Sequence, residues 1–151
     1  FFYETPKNCG TDHCSQEVLA LGTPILWWLA TIAVAVVIGY WIRSFAVKRY
    51  EPPLNVIVTG IAAGYLPWFF FQKRTVFSFY AIVFEPFLIL AIVYCAYVAL
   101  LHFENSRNTY AFIAFIGLAI FINFIYFLPL FTGDVITYDS WQARMWLPSW
   151  V

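Results

Sequence analysis

The chain has 151 residues, of which 63% are hydrophobic, 23% are aromatic and only 11% are charged. A soluble domain carries about 25% charged residues, so this composition excludes a chain surrounded by water and predicts a membrane protein. The formal net charge is zero, which gives no basis for nucleic-acid binding or for recognition of an acidic substrate by bulk charge. The length suits one small helical bundle rather than two domains.

Residues 1–22 form a segment that precedes the first apolar run and contains a polar stretch, Glu4 to Glu17. The segment begins with Phe1 rather than Met, and it lacks the basic start and short apolar core of a signal peptide. We therefore expect the chain to be a piece of a longer protein.

Three cysteines raise the question of a disulfide. Cys9 and Cys14 enclose Gly10, which allows a tight turn, so a local disulfide between them is the preferred interpretation. Free thiols are the second interpretation. A metal site is the third, because Cys9, Cys14 and His13 lack a fourth ligand. Cys95, inside an apolar run, is interpreted as a small packing residue.

Four apolar runs follow the polar segment. They are Pro24–Ile42, Leu54–Phe71, Val76–Leu101 and Tyr110–Phe131. Each is near or above the roughly 17–25 residues that a helix needs to cross the hydrocarbon core, and none alternates as barrel strands do. The predicted fold is therefore all-α: a four-transmembrane-helix bundle over residues 23–131, whose short connections make neighbouring helices antiparallel.

Two sequence features inside these runs predict helix contacts. Gly60 and Gly64 lie four residues apart in the second run, a spacing that lets another helix approach closely. Glu85 is the only acidic residue deep in a run, and Asn123 is expected at nearly the same depth in the fourth helix. An unpaired carboxylate in lipid is unfavourable, so the preferred interpretation is a hydrogen bond between a protonated Glu85 and Asn123. A cavity is the alternative, and Pro86 is expected to kink or open the helix.

The second loop contains a pair of cations, Lys73 and Arg74, at the start of the third run. Long basic side chains often extend to the membrane surface, and from charge alone this is the favoured explanation. The functional alternative is that they bind an anion such as a lipid phosphate, because the planar guanidinium can hold two phosphate oxygens.

Residues 132–151 form a tail too polar to span a membrane and rich in aromatic side chains. Trp141, Trp146 and Trp150 predict an amphipathic, Trp-rich tail at the membrane–water interface. Arg144 is a second candidate for an anion contact, although stacking on Trp141 would also explain it.

Charge and cysteine chemistry together predict the orientation. The first loop carries three basic residues against two in the second, which mildly favours a cytoplasmic first loop. A disulfide persists only in an oxidising compartment. We therefore expect a multi-pass plasma-membrane protein with residues 1–22, the second loop and the tail outside the cell.

Five stretches, in this order and spacing, resemble the C-terminal four-helix region of bacterial (actinobacterial) protein O-mannosyltransferases. The stretches are Thr23 to Trp28 (TPILWW), Ala62 to Trp68 (AAGYLPW), Arg74 to Tyr80 (RTVFSFY), Phe84 to Leu88 (FEPFL) and Tyr138 to Trp150 (YDSWQARMWLPSW). The similarity covers nearly the whole chain from Thr23 onward.

The resemblance implies an enzyme that transfers mannose from polyprenyl-phosphate-mannose to Ser or Thr of proteins at the outer membrane face, as these are exported. The sequence predicts no cofactor or metal, and the resemblance makes the remaining N-terminal transmembrane half a partner of this chain. Lys73, Arg74 and Arg144 become candidates for binding the donor phosphate. Tyr80, Glu85 and Asn123 become candidates for lining the donor groove.

The resemblance also implies that the chain has no catalytic residue of its own. The family's catalytic Asp-Glu pair belongs to the N-terminal half, and no such dipeptide occurs here. The alternative from another class is a non-enzymatic four-helix anchor or assembly subunit, which needs only the composition and the helices. A small transporter is disfavoured, because only one acidic residue lies within the predicted helices and no pair of broken helices is evident.

Overall fold

The computed structural model describes residues 2–4, 14–19, 22–71, 78–104, 106–147 and 150. In chain order the elements are β1 (Phe2–Glu4), β2 (Cys14–Val18), α1 (Pro24–Ala46), α2 (Pro52–Tyr65), two 3-10 segments (Leu66–Phe71 and Ser78–Val83), α3 (Glu85–His102), α4 (Arg107–Thr132), β3 (Ile136–Thr137) and α5 (Tyr138–Gln142). They divide into two compact units. The terminal unit is Phe1–Thr23 with Ala119–Val151, and the central unit is Pro24–Leu118.

Within the described residues, four helical segments are long and apolar enough to cross a membrane, which confirms the predicted fold class. The segments are Pro24–Ala46, Pro52–Phe70, Glu85–His102 and Arg107–Thr132. Proline marks the start of α2, at Pro52 and Pro53. Proline has no backbone N–H, and in the first turn of a helix this N–H would have no intrahelical acceptor, so no hydrogen bond is lost. Ser106 precedes α4, and its hydroxyl accepts a hydrogen bond from the backbone N–H of Thr109 at 3.3 Å.

The third run differs from the prediction, because it is not one continuous α-helix from Val76. A 3-10 segment covers Ser78–Val83, and α3 begins at Glu85. Pro86 therefore lies in the first turn of a helix and does not kink one, since its missing N–H has no intrahelical partner at that position. The depth expected for Glu85 is counted along one continuous helix and stays a prediction.

The central unit packs α1, α2 and α3 against one another through small and branched apolar residues. Its core contains Ala33, Val37, Leu54, Ile57 and Ala91. Gly64 packs against the start of α3, where an added Cβ would lie 2.8 Å from Cβ of Phe84. At Gly60 the added atom would lie 2.3 Å from the Phe87 ring. The glycine pair therefore serves close packing within this unit.

The terminal unit contains a small antiparallel sheet that the sequence did not predict. Its order is β1-β2-β3, with Tyr3 opposite Glu17 and Ser15 opposite Ile136. The backbone N–H of Leu19 donates to the carbonyl of Leu130 in α4 at 3.0 Å. The segment before the first spanning helix and the segment after the last one are thus joined by backbone hydrogen bonds.

The core of the terminal unit is built from Leu19, Phe127, Leu130 and Trp141. The tail is thus an aromatic cluster, as its composition suggested, but Trp141 is only 8% exposed and belongs to the core. Gly133 ends α4 with φ +75°, a conformation that glycine adopts without strain, and an added Cβ would lie 2.8 Å from Val18. The position of the tail at the membrane–water interface stays a prediction.

Candidate functional site

The predicted donor-phosphate cations are Lys73, Arg74 and Arg144. Lys73 and Arg74 lie outside the described residues. Arg144 is described, half-buried at the end of the short helix α5. The geometry of the candidate site is therefore the geometry around Arg144.

The Arg144 guanidinium is held on two sides. Its Nε donates to the backbone carbonyl of Tyr126 at 2.8 Å, and its Nη1 donates to the carbonyl of Ser140 at 2.6 Å and also to the Ser140 hydroxyl. Its Cζ lies 4.6 Å from the centre of the Tyr126 ring, a cation–π contact. The aromatic partner is thus Tyr126 of α4, whereas the sequence suggested Trp141.

Local hydrogen bonds hold the turn that carries Arg144. Thr137 caps α5 by accepting from the backbone N–H of Ser140 at 3.3 Å. The Tyr126 hydroxyl in turn donates to the carbonyl of Ala143 at 3.0 Å. Arg144 and Tyr126 therefore each bond to the other's segment, and this reciprocal pair attaches the tail to α4.

A buried carboxyl group lies in the same unit. Glu17 is 1% exposed, and its Oε2 accepts a hydrogen bond from the indole Nε1 of Trp141. Its Oε1 and the hydroxyl of Ser15, which is 0% exposed, have no hydrogen-bond partner among the described residues. The backbone N–H of Arg144 donates to the carbonyl of Trp141 at 3.0 Å. Glu17 thus connects the N-terminal segment to the turn that positions Arg144.

The structure does not bring the predicted groove residues into one described cavity. Tyr80 is half-buried in the central unit, with its ring 4.4 Å from that of Trp68. Glu85 borders a space of only about 10 Å³ beside Trp27 and Ala30 of α1, too small for a sugar or a phosphate. Asn123 is buried in the terminal unit. The hydrogen bond between Glu85 and Asn123 remains a prediction.

The cysteines are only partly described. Cys14 is disulfide-bonded, and Cys9 lies outside the described residues, so the pairing of the two stays a prediction. Cys95 carries a free thiol, half-buried against the carbonyl of Ala33 at 3.7 Å. Among the described residues no group of three or more His, Cys, Asp or Glu is arranged to hold a metal ion.

Sequence reasoning missed Tyr126, Ser140 and Glu17. Tyr126 is one aromatic residue in a helix full of them, and only its tertiary neighbour distinguishes it. The signal for Glu17 was present: it is an acidic residue in the five-residue stretch Cys14–Val18, close to a spanning helix. Its burial depends on residues more than a hundred positions away, which a local pattern does not reveal.

Comparison with known families gives a match over nearly the whole chain. The sequence model described as the C-terminal four TMM region of protein-O-mannosyltransferase matches residues 2–150. This match extends across both units and includes Arg144 and Glu17.

Three actinobacterial relatives are each named polyprenol-phosphate-mannose–protein mannosyltransferase. The protein of Mycolicibacterium smegmatis is 33% identical over 95% of this chain, and that of Mycobacterium tuberculosis is also 33% identical over 95%. The protein of Corynebacterium glutamicum is 32% identical over 99%. The chain spans 27% to 29% of the length of these relatives. No solved structure matches the chain significantly.

Proposed function

Because the chain belongs to the protein O-mannosyltransferase family, as its C-terminal four-transmembrane region, we propose that it serves a mannosyltransferase. The donor is polyprenyl-phosphate-mannose and the acceptors are Ser or Thr of exported proteins. Within that enzyme the chain forms part of the donor site and binds the donor phosphate at its basic residues. The observation that supports this role is that hydrogen bonds to Tyr126 and Ser140 fix the orientation of the Arg144 guanidinium.

The hydrogen bonds of Arg144 leave one part of the group available. Nε and Nη1 are bonded to Tyr126 and Ser140, and Nη2 has no hydrogen bond among the described residues. A guanidinium fixed on one side presents the remaining N–H groups at a defined point without a further loss of side-chain entropy. Charge develops on the leaving phosphate as the glycosidic bond breaks, so a fixed cation there stabilises the transition state more than the ground state.

The topology supports a common location for the proposed site residues. An even number of spans returns the chain to the side on which it started, and the pairing of β2 with β3 agrees with this. The tail and residues before α1 therefore lie on one membrane side. We assign this side to the exterior of the cell. The acceptor proteins are exported to that side, and the disulfide of Cys14 persists only in an oxidising compartment.

The chain contributes to catalysis only as part of a longer protein in this proposal. It contains no Asp-Glu dipeptide to supply the family's catalytic acid pair, and the N-terminal transmembrane half is its partner. The alternative of a non-enzymatic anchor is disfavoured by the family match and by the held Arg144, since an anchor needs no oriented guanidinium.

The test is a transfer assay with the full-length enzyme in membranes, normalised to folded protein. Arg144→Lys keeps the charge but loses the planar group, so we expect kcat to fall about 10-fold or more, the scale on which single electrostatic contacts act in active sites. Tyr126→Phe is the matched control. It removes the hydroxyl bond to Ala143 but keeps both the ring and the carbonyl that contact Arg144, so its rate should stay near wild type.

Arg74 provides the second arm of the same assay. Arg74→Ala should lower turnover more than it lowers the amount of folded protein, and Arg74→Lys should restore the rate only in part. If Arg144→Lys and Arg74→Ala both transfer mannose at the wild-type rate, neither cation binds the donor phosphate, and the proposed site is wrong.

A further inference from the structure

An apolar groove lies in the central unit, between the start of α2 and the middle of α3. It has a volume of about 420 Å³ and is lined by Pro53, Val56 and Ile57 of α2 and by Leu90, Val93 and Tyr94 of α3. Along α3 the groove extends from Leu90 to Tyr97, about 10 Å at 1.5 Å per residue. It begins at the first turn of α2, which is one end of the candidate membrane span Pro52–Phe70.

The turn between α1 and α2 holds two cations at this end of the groove. Arg49 N–H donates to the carbonyl of Ser44 at 2.9 Å and Lys48 N–H to that of Phe45 at 3.1 Å, the pair of bonds that defines a Schellman motif. The turn therefore has a fixed backbone. Lys48 has a left-handed backbone conformation, with φ 52°. Glycine adopts this conformation with less strain than any other residue.

The turn is connected to the groove through side chains. The Tyr94 hydroxyl, at the groove wall, donates to Glu51 at 3.0 Å. Glu51 also lies 3.6 Å from Nε of Arg49, whose side chain is 78% exposed. Both Nη groups of Arg49 are without a hydrogen bond among the described residues. The negative charge of Glu51 offsets one of the two positive charges of Lys48 and Arg49. The net charge of these three side chains, at the entrance to the groove, is therefore +1.

We propose that this face is a binding site for an anionic phospholipid of the leaflet on the side of the 47–51 turn. An acyl chain occupies the groove between α2 and α3, and the headgroup phosphate binds Lys48 and the Nη groups of Arg49. The site lies where α1 ends and α2 begins, and the inference does not depend on the proposed transferase function.

The lining of the groove favours an acyl chain over a packed helix. Helix–helix contacts in membranes are rich in small residues, because van der Waals contact between backbones drives them. Such residues occur in this unit where α2 meets α3, at Gly60 and Gly64. The groove instead carries branched and aromatic side chains, and Val56 and Val93 are each 56% exposed. A flexible chain fits an irregular wall of this kind.

The experiment measures lipids retained by the full-length enzyme. The protein is reconstituted in nanodiscs of phosphatidylcholine with a minor share of phosphatidylglycerol, and bound lipid is counted by native mass spectrometry after release. We expect phosphatidylglycerol to be enriched on the wild type. Lys48→Gly combined with Arg49→Gln should lower that enrichment about 25-fold, since each cation near an anionic surface contributes about 5-fold in affinity. Lys48→Gly also relieves the backbone, so poor folding does not account for the loss.

Two matched controls keep the test decisive. Arg107→Gln removes an exposed cation from the start of α4 and should leave the enrichment unchanged; an equal loss would show that bulk charge attracts the lipid and would overturn the site. Val93→Trp fills the groove and should abolish retention, whereas Ile32→Trp, at a 63% exposed position outside the groove, should not. If Val93→Trp lowers the yield of folded enzyme and wild type retains no phosphatidylglycerol, another helix occupies the groove and the proposal is wrong.

Discussion

The central and terminal units are stabilised in different ways. In the central unit the buried core is small and apolar, with two alanines and two glycines at helix contacts and no buried charged residue among those described. In the terminal unit the core contains Trp141 and a buried acidic residue, Glu17, joined by a hydrogen bond.

We attribute the difference to the solvent predicted around each core: lipid around α1, α2 and α3, and the membrane–water interface around the sheet and the tail. In lipid, an apolar side chain gains little by moving from hydrocarbon into a helix interface, so close contact of small residues provides the attraction. Outside the hydrocarbon, burial of aromatic surface is favourable at about 25 cal/mol per Å², and strands can pair where water is available to the remaining backbone groups. The comparison predicts that the terminal unit is sensitive to loss of polar partners and the central unit to added volume.

The largest effect is expected at the Glu17–Trp141 pair. Trp141→Phe removes the donor to Oε2 and leaves the buried carboxyl group without a hydrogen bond from a described residue. We expect the free energy of unfolding to fall by about 2–4 kcal/mol, because an unpaired buried polar group costs about 1–3 kcal/mol and the smaller ring adds a cavity. The measurement is an SDS unfolding titration of the full-length enzyme in mixed micelles.

A double-mutant cycle separates the hydrogen bond from the loss of packing. Glu17→Leu alone should destabilise by about 1–3 kcal/mol, because it removes the carboxylate that accepts from the Trp141 indole N–H. The combination of Glu17→Leu with Trp141→Phe should cost less than the sum of the two, with a coupling of about 1 kcal/mol or more. Strict additivity would contradict the importance of this bond.

A smaller effect is expected for added volume in the central unit. Gly64→Ala places a Cβ 2.8 Å from Cβ of Phe84, an atom near the backbone that cannot rotate away. We expect a loss of about 1–3 kcal/mol in the same titration, typical of overpacking. Gly39→Ala is the matched control, since no atom lies within 4 Å of its added Cβ. It should stabilise α1 by about 0.5–1 kcal/mol, and a loss of similar size at both positions would argue against the packing role of Gly64.

The smallest effect is expected at Glu85, the acidic residue of the central unit that invites comparison with Glu17. Glu85 lies in the first turn of α3, and Gln keeps its shape and its capacity for hydrogen bonds. Glu85→Gln should therefore lower the free energy of unfolding by at most about 1 kcal/mol, the largest helix-dipole contribution of a side chain at such a position, and mannosyl transfer by the full-length enzyme should persist. A normally folded Gln variant that has lost transfer would instead place Glu85 in the donor groove.

The sequence alone determined the membrane class, the four spanning segments and the family. These follow from properties that accumulate over many residues, namely apolar length and the order of five short stretches, so errors at single positions do not alter them. The start of the third helix did not follow from the sequence, because Pro86 is compatible with either a kink or a helix start. In the structure the helix starts at Glu85.

Only the tertiary structure decided the arrangement around Arg144 and Glu17. The strand β3 has two residues, Ile136–Thr137, too few for any periodicity to be read, and it pairs with β2 across more than a hundred residues. Arg144 was identified as a candidate from its charge, but its partner Tyr126 was not, since many aromatic residues of α4 were equivalent in sequence. Burial and hydrogen-bond geometry distinguish such residues, and both arise from contacts between distant parts of the chain that local sequence does not encode.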